Sequence, residues 1–145
     1  AQEAFKLYPT DENIFQLYRI LTYGQAKIAA ADKFAADAKD MFDKGNFLGA
    51  ADLYAKAFDS DPLQYSHSVN AALTYYKIRD FNKAIKYLSL SKSSKDPAVV
   101  EKAIRFSALS FSQLGDLKQT CANFIQLLNK FPKRMYQQEF NKYCR

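Results

Sequence analysis

Gly45-Asn46-Phe47 followed by Ala50, Tyr54, Ala57 and Pro62, and then Arg79-Asp80-Phe81 followed by Ala84, Leu88, Ser91 and Pro97, state one pattern twice. Phe47 to Phe81 and Ala50 to Ala84 are both 34 residues apart, a period of arrays built from helix-turn-helix units. A looser third copy runs through Gly115-Asp116-Leu117, Thr120, Phe124, Leu127 and Pro132, displaced by two extra residues near Ser93 to Asp96. Within the copies the small residues mark close helix approach, because an Ala where two helices cross lets the backbones come near. Ala38, Ala50 and Ala57 hold those places first, Ala72 and Ala84 second, with Met41, Tyr54, Tyr75, Leu88, Phe111 and Phe124 filling the gaps between.

Working outward, Ala1 to Pro9 reads as the closing turn of a repeat's second helix, ended by proline, which lacks the donor and clashes with the preceding turn. The chain thus opens inside a repeat without an initiator Met, which favours a fragment of a longer protein over a mature form whose leader was removed. Thr10 or Asp11 caps the next helix, where Ile14, Leu17, Tyr18 and Leu21 form an apolar stripe at helical spacing. Gln25 to Lys44 is one long Ala-rich helix, of high intrinsic propensity. Helices are then expected over Gln64–Ile78, Phe81–Ser91, Pro97–Leu114 and Leu117–Lys130, and an amphipathic helix over Lys133–Tyr143 covers the last apolar face. Gly45 and Gly115 fit the left-handed position that ends a first helix, whereas Arg79 takes that place in the second copy at a cost of about 1 kcal/mol.

This register resembles the tetratricopeptide repeat family. The resemblance implies one all-α domain, a right-handed superhelix of helical hairpins with about eight helical segments. It divides as a partial repeat and leading helix over 1–31, repeats over 32–62, 63–97 and 98–132, and an end helix over 133–145. It implies a protein-binding scaffold whose concave groove is lined by the first helices of successive repeats. By offset from the matched alanines, the partner-binding residues are Lys39 and Phe42, then Val69, Asn70, Leu73 and Tyr76, then Lys102, Arg105, Phe106 and Leu109. Co-chaperones of this family grip a peptide's terminal carboxylate with a clamp of Lys, Asn, Asn, Lys and Arg. Asn70 and Lys102 match it, but Ala35 and Lys39 stand where Lys and Asn are required and Phe106 replaces the arginine, which disfavours a chaperone-tail ligand. The third repeat, through Gly115-Asp116-Leu117, Cys121, Phe124 and Phe131-Pro132, also looks like the last repeat of periplasmic TolA-binding, Tol-Pal-associated proteins.

Composition narrows the remaining classes. The net charge of +6 is uneven, with seven Asp against four Lys over residues 32–62 and fourteen bases against five acids over 77–145. A basic C-terminal half suits an acidic partner. Nucleic acid is the weaker alternative, because the ten Tyr fall mostly on repeat core positions and no RNA-binding signature is present. One histidine, His67, reads as a surface residue near a helix start, and no phosphate loop or nucleophile motif accompanies it. No enzyme activity, cofactor or tightly bound metal is expected. Cys121 and Cys144 cannot make a disulfide framework, and Cys121 reads as a buried helical cysteine. Compartment stays open, periplasmic if a leader was removed and cytoplasmic otherwise. No apolar run approaches a membrane span, and self-association is expected through an N-terminal face made by Phe5, Leu7 and Tyr8.

Overall fold

The computed structural model describes residues 11–145, so Phe5, Leu7 and Tyr8 and the expected remnant helix lie outside the described residues. The described chain is all-α: α1 Asp11–Tyr23, α2 Gln25–Asp43, α3 Phe47–Ser60, α4 Tyr65–Lys77, α5 Phe81–Ser91, α6 Pro97–Gln113, α7 Leu117–Lys130 and α8 Arg134–Cys144. From α2 onward each helix packs chiefly on its neighbours in sequence, and α4 also touches α6. Three hairpins, α2/α3, α4/α5 and α6/α7, therefore stack in order, with α8 closing the row.

One local device turns the chain at all three hairpins. Gly45, Arg79 and Gly115 adopt φ of 85, 65 and 78°. The amides of the next residues, Asn46, Asp80 and Asp116, reach back to the carbonyls of Met41, Tyr75 and Phe111 at 2.9, 2.9 and 3.0 Å. These bonds satisfy carbonyls that a helix end would leave without partners. The same three side chains then cap the following helix, accepting from Gly49 N, Lys83 N and Gln119 N at 3.0, 3.2 and 3.0 Å. Arg79 holds the left-handed conformation without glycine's freedom, as the sequence indicates.

The crossing alanines Ala38, Ala50, Ala57, Ala72 and Ala84 are all fully buried. Around them one apolar cluster joins Ala51, Val69, Tyr75, Leu88 and Ala103, and a second joins Val100, Ile104, Phe124, Leu127 and Tyr136. Among the expected gap-fillers Tyr75, Leu88 and Phe124 are buried, while Met41, Tyr54 and Phe111 are half-buried.

Three expectations are corrected. The α1 stripe faces outward: Ile14 is 54% exposed, Leu17 41%, Tyr18 59% and Leu21 82%. What α1 buries is Arg19, whose Nε donates to Asp61 Oδ1 and Oδ2 at 2.9 and 2.7 Å, with Nη2 also on Oδ2. Asp61, at the end of α3, is fully buried, and a buried carboxylate demands a cation more strongly than an aliphatic stripe demands cover. His67 is buried rather than on the surface, and among the described residues neither ring nitrogen has a hydrogen-bond partner. Cys121 is half-buried and is joined in a disulfide to Cys144, binding α8 to α7; two cysteines in different helices gave no pairing signal until the fold brought their Cα atoms to 5.8 Å.

Candidate functional site

The groove residues expected from the sequence lie on α2, α4 and α6, the first helices of the three hairpins. On α4, Asn70, Leu73 and Tyr76 recur at spacings of three residues, which places them along one stripe. Asn70 is exposed, Leu73 and Tyr76 are half-buried. Tyr76 is wedged edge-on against Phe81 and against Phe106 of α6, with ring centroids 5.4 and 5.3 Å apart, and burial raises its phenol pKa. The rings of Tyr76 and Phe106 thus join α4 to α6. Val69, also expected in the groove, is instead buried in the first core cluster.

Next to that contact, Ala98, Glu101, Lys102, Arg105 and Phe106 of α6 and Tyr136 of α8 line a cleft of about 290 Å³. Lys102 is exposed and, among the described residues, pairs with no carboxylate. Arg105 does not stand free: its Nε donates to Glu139 of α8 at 3.0 Å, with the side chains 31% and 16% exposed. Glu101 accepts from Lys133 Nζ at 2.6 Å and from the Tyr136 hydroxyl. Those two hydrogen bonds, the lysine's foremost, hold the Glu101 carboxyl below its usual range. Burial, then the bond to Glu101, pushes the Tyr136 phenol up to about 12.

The other expected groove residues are placed differently. Lys39 is exposed on α2 and pairs within its own helix with Asp43 at 3.4 Å. Phe42 meets Phe47 edge-on at 5.0 Å, and Lys77 Nζ lies 5.9 and 4.9 Å from the two rings. Leu109 packs on the second core cluster with α8 rather than opening onto the cleft. Sequence reasoning missed Glu101, Lys133, Tyr136 and Glu139. A signal existed for the last: Glu139 lies 34 residues after Arg105, one full period of the repeat.

No protein-family model and no curated protein matches the sequence. Solved structures do. The N-terminal domain of stress-induced protein-1 (STI-1) from C. elegans superposes with a TM-score of 0.75 at 18% identity, covering 83% of this chain and 99% of that one. The first TPR of Spaghetti (RPAP3) bound to the HSP90 peptide SRMEEVD gives 0.67 at 21% identity, over 80% of this chain and 91% of that one. This chain has the tetratricopeptide-repeat fold. The second TPR domain of human RPAP3 in complex with the HSP70 peptide SGPTIEEVD is similar as well, with a TM-score of 0.68, 18% identity and coverage of 83% and 97%.

Within the tetratricopeptide frame the clamp comparison can be made on side chains. Asn70 and Lys102 stand exposed, whereas Ala35 is half-buried and Phe106 is committed to Tyr76. A larger cleft of about 690 Å³ lies between α1 and the starts of α4 and α6. Phe15, Tyr18, Tyr65 and Val99 supply its apolar lining, and Asp11, Glu12 and Asp96 outnumber Lys95 there, so an anionic ligand is disfavoured at that end.

Proposed function

We propose that this tetratricopeptide array is a non-enzymatic binding module that takes an extended acidic segment of a partner protein along α4 and α6. The observation that carries the reading is that Asn70 and Lys102 are exposed, Lys102 pairing with no carboxylate among the described residues, while Leu73 and Tyr76 on the same α4 stripe as Asn70 are half-buried. Asn70 can both donate to and accept from a partner's backbone. Lys102 supplies positive charge, worth about 1 kcal/mol or less in an exposed setting. Affinity therefore comes mainly from apolar burial, and charge mainly sets partner choice and encounter rate. The RPAP3 domains of the same fold, bound to peptides ending in Glu-Glu-Val-Asp, support an acidic ligand class. The incomplete clamp argues that a terminal carboxylate is not the required feature.

Lys102→Glu is the cleaner test than a double reversal with Arg105→Glu, because the second change would also set two carboxylates together at Glu139. With a labelled peptide of glutamate and valine, Lys102→Glu, which removes an attraction and adds a repulsion of similar size, should weaken binding about tenfold and leave the melting temperature unchanged. Unaltered binding would move the contact to the convex face or the helix ends. A basic-face nucleic-acid reader would instead show a steep salt slope with single-stranded nucleic acid. Neither that alternative nor a Tol-Pal-type envelope factor gains support from the side chains on this face.

A further inference from the structure

Arg105, one turn along α6 from Lys102 and expected from the sequence to face the partner, already holds a carboxylate of the chain's own. Arg105 bonds Glu139 at 3.0 Å in a half-buried setting, and Glu139 reaches it from α8 one repeat period further along. Three other features hold α8 in place. Lys133 and Tyr136 bond Glu101, Phe140 and Tyr143 pack on the second core cluster with Tyr143 stacked on Phe124 at 5.6 Å, and Cys144 is covalently joined to Cys121 of α7. A carboxylate held on a tethered helix competes at a high effective concentration against one arriving from solution.

We propose that Glu139 is a built-in competitor for Arg105, and that the Cys121–Cys144 disulfide holds it there, so that reduction increases the groove's affinity for acidic segments. This rests on the groove reading above. Reduction by a dithiol breaks the S–S bond and delivers two electrons and two protons, giving two thiols and leaving the reductant as a cyclic disulfide. Helix α8 then has only its packing and its ion pairs to keep Glu139 on Arg105, and the guanidinium exchanges more readily to a bidentate carboxylate from the partner.

The test measures fluorescence anisotropy of a glutamate–valine peptide against four forms: wild type, Glu139→Gln, Arg105→Gln and the double variant, each oxidised and reduced. Glu139→Gln keeps the shape of the side chain and should tighten binding about fivefold, the ratio that loss of one half-exposed ion pair supports. Reduction of wild type should tighten binding about twofold, and reduction of Glu139→Gln should change nothing. In the Arg105→Gln background the Glu139 change should also have no effect. If Glu139→Gln binds no better than wild type, or gains as much without Arg105, the competitor is refuted. Equal wild-type affinity before and after reduction refutes the disulfide's part. Absence of binding in every form refutes the groove reading itself, a result distinct from both.

Discussion

Replacing Arg19 by Ala isolates the interaction that fixes α1 to the array. Asp61 is fully buried, and among the described residues its side chain is held by Arg19 alone, through Nε on both oxygens at 2.9 and 2.7 Å and Nη2 on one of them. Leaving a buried carboxylate without its cation costs about 3–5 kcal/mol if nothing else moves. The molecule has a second option. The α1 helix makes few contacts with α2 and turns its aliphatic stripe to solvent, so it can swing away and let water reach Asp61. That route forfeits the partial burial of Phe15, Ile20 and Tyr23, on the order of 1 kcal/mol each. The smaller penalty governs, so Arg19→Ala should lose about 2–4 kcal/mol, a large share of an ordinary domain's stability. Urea titration measures the loss. Hydrogen exchange locates it: amides of Ile14–Tyr23 should lose protection while those of α4 and α5 keep theirs. The double change Arg19→Met with Asp61→Leu, which removes both charges and keeps the bulk, should return to within about 1 kcal/mol of wild type. A loss below about 0.5 kcal/mol for Arg19→Ala, or α1 amides as protected as before, would refute the view that this ion pair anchors the helix.

Other outcomes follow from the same physics. Arg79→Gly should raise stability by up to about 1 kcal/mol, because the left-handed φ of 65° penalises a Cβ, while Gly115→Ala should lower it by a similar amount; chemical denaturation reads both. Leu17→Ser and Leu21→Ser should each cost less than about 0.5 kcal/mol in the same assay, since the stripe they belong to is exposed. Burial lowers the His67 pKa, with Asp61 and Asp32 opposing and Arg19 assisting. The folded state thus resists a proton that the unfolded chain takes up near pH 6.5, so stability is complete above about that pH and falls as pH drops through the window below it. As His67 is the only histidine, His67→Gln should flatten the melting temperature between about pH 6.5 and 5, and an unchanged slope would rule the residue out. Reduction of Cys121–Cys144, which closes a separation of 23 residues, should cost about 3 kcal/mol by loop entropy, measured by melts with and without reductant.

The repeat architecture was legible because its determinants are local. A left-handed turn followed by an Asx cap acts within a few residues of itself and recurs with the repeat, so the helices Phe81–Ser91 and Leu117–Lys130 come out with the bounds read from the chain. The exposure of Asn70 and Lys102 agrees with the register, which turns both away from the crossing alanines. What the tertiary structure decided concerns residues that meet from distant positions. Periodicity assigns Ile14, Leu17, Tyr18 and Leu21 to the core, yet Asp61, 42 residues beyond Arg19, turns the opposite face inward because a buried carboxylate without a cation is the costlier arrangement. Charge pattern offers Arg105 as a free cation until α8 brings Glu139 against it. The pairing of Cys121 with Cys144, too, depends on where two helices dock, a distance that no local pattern encodes.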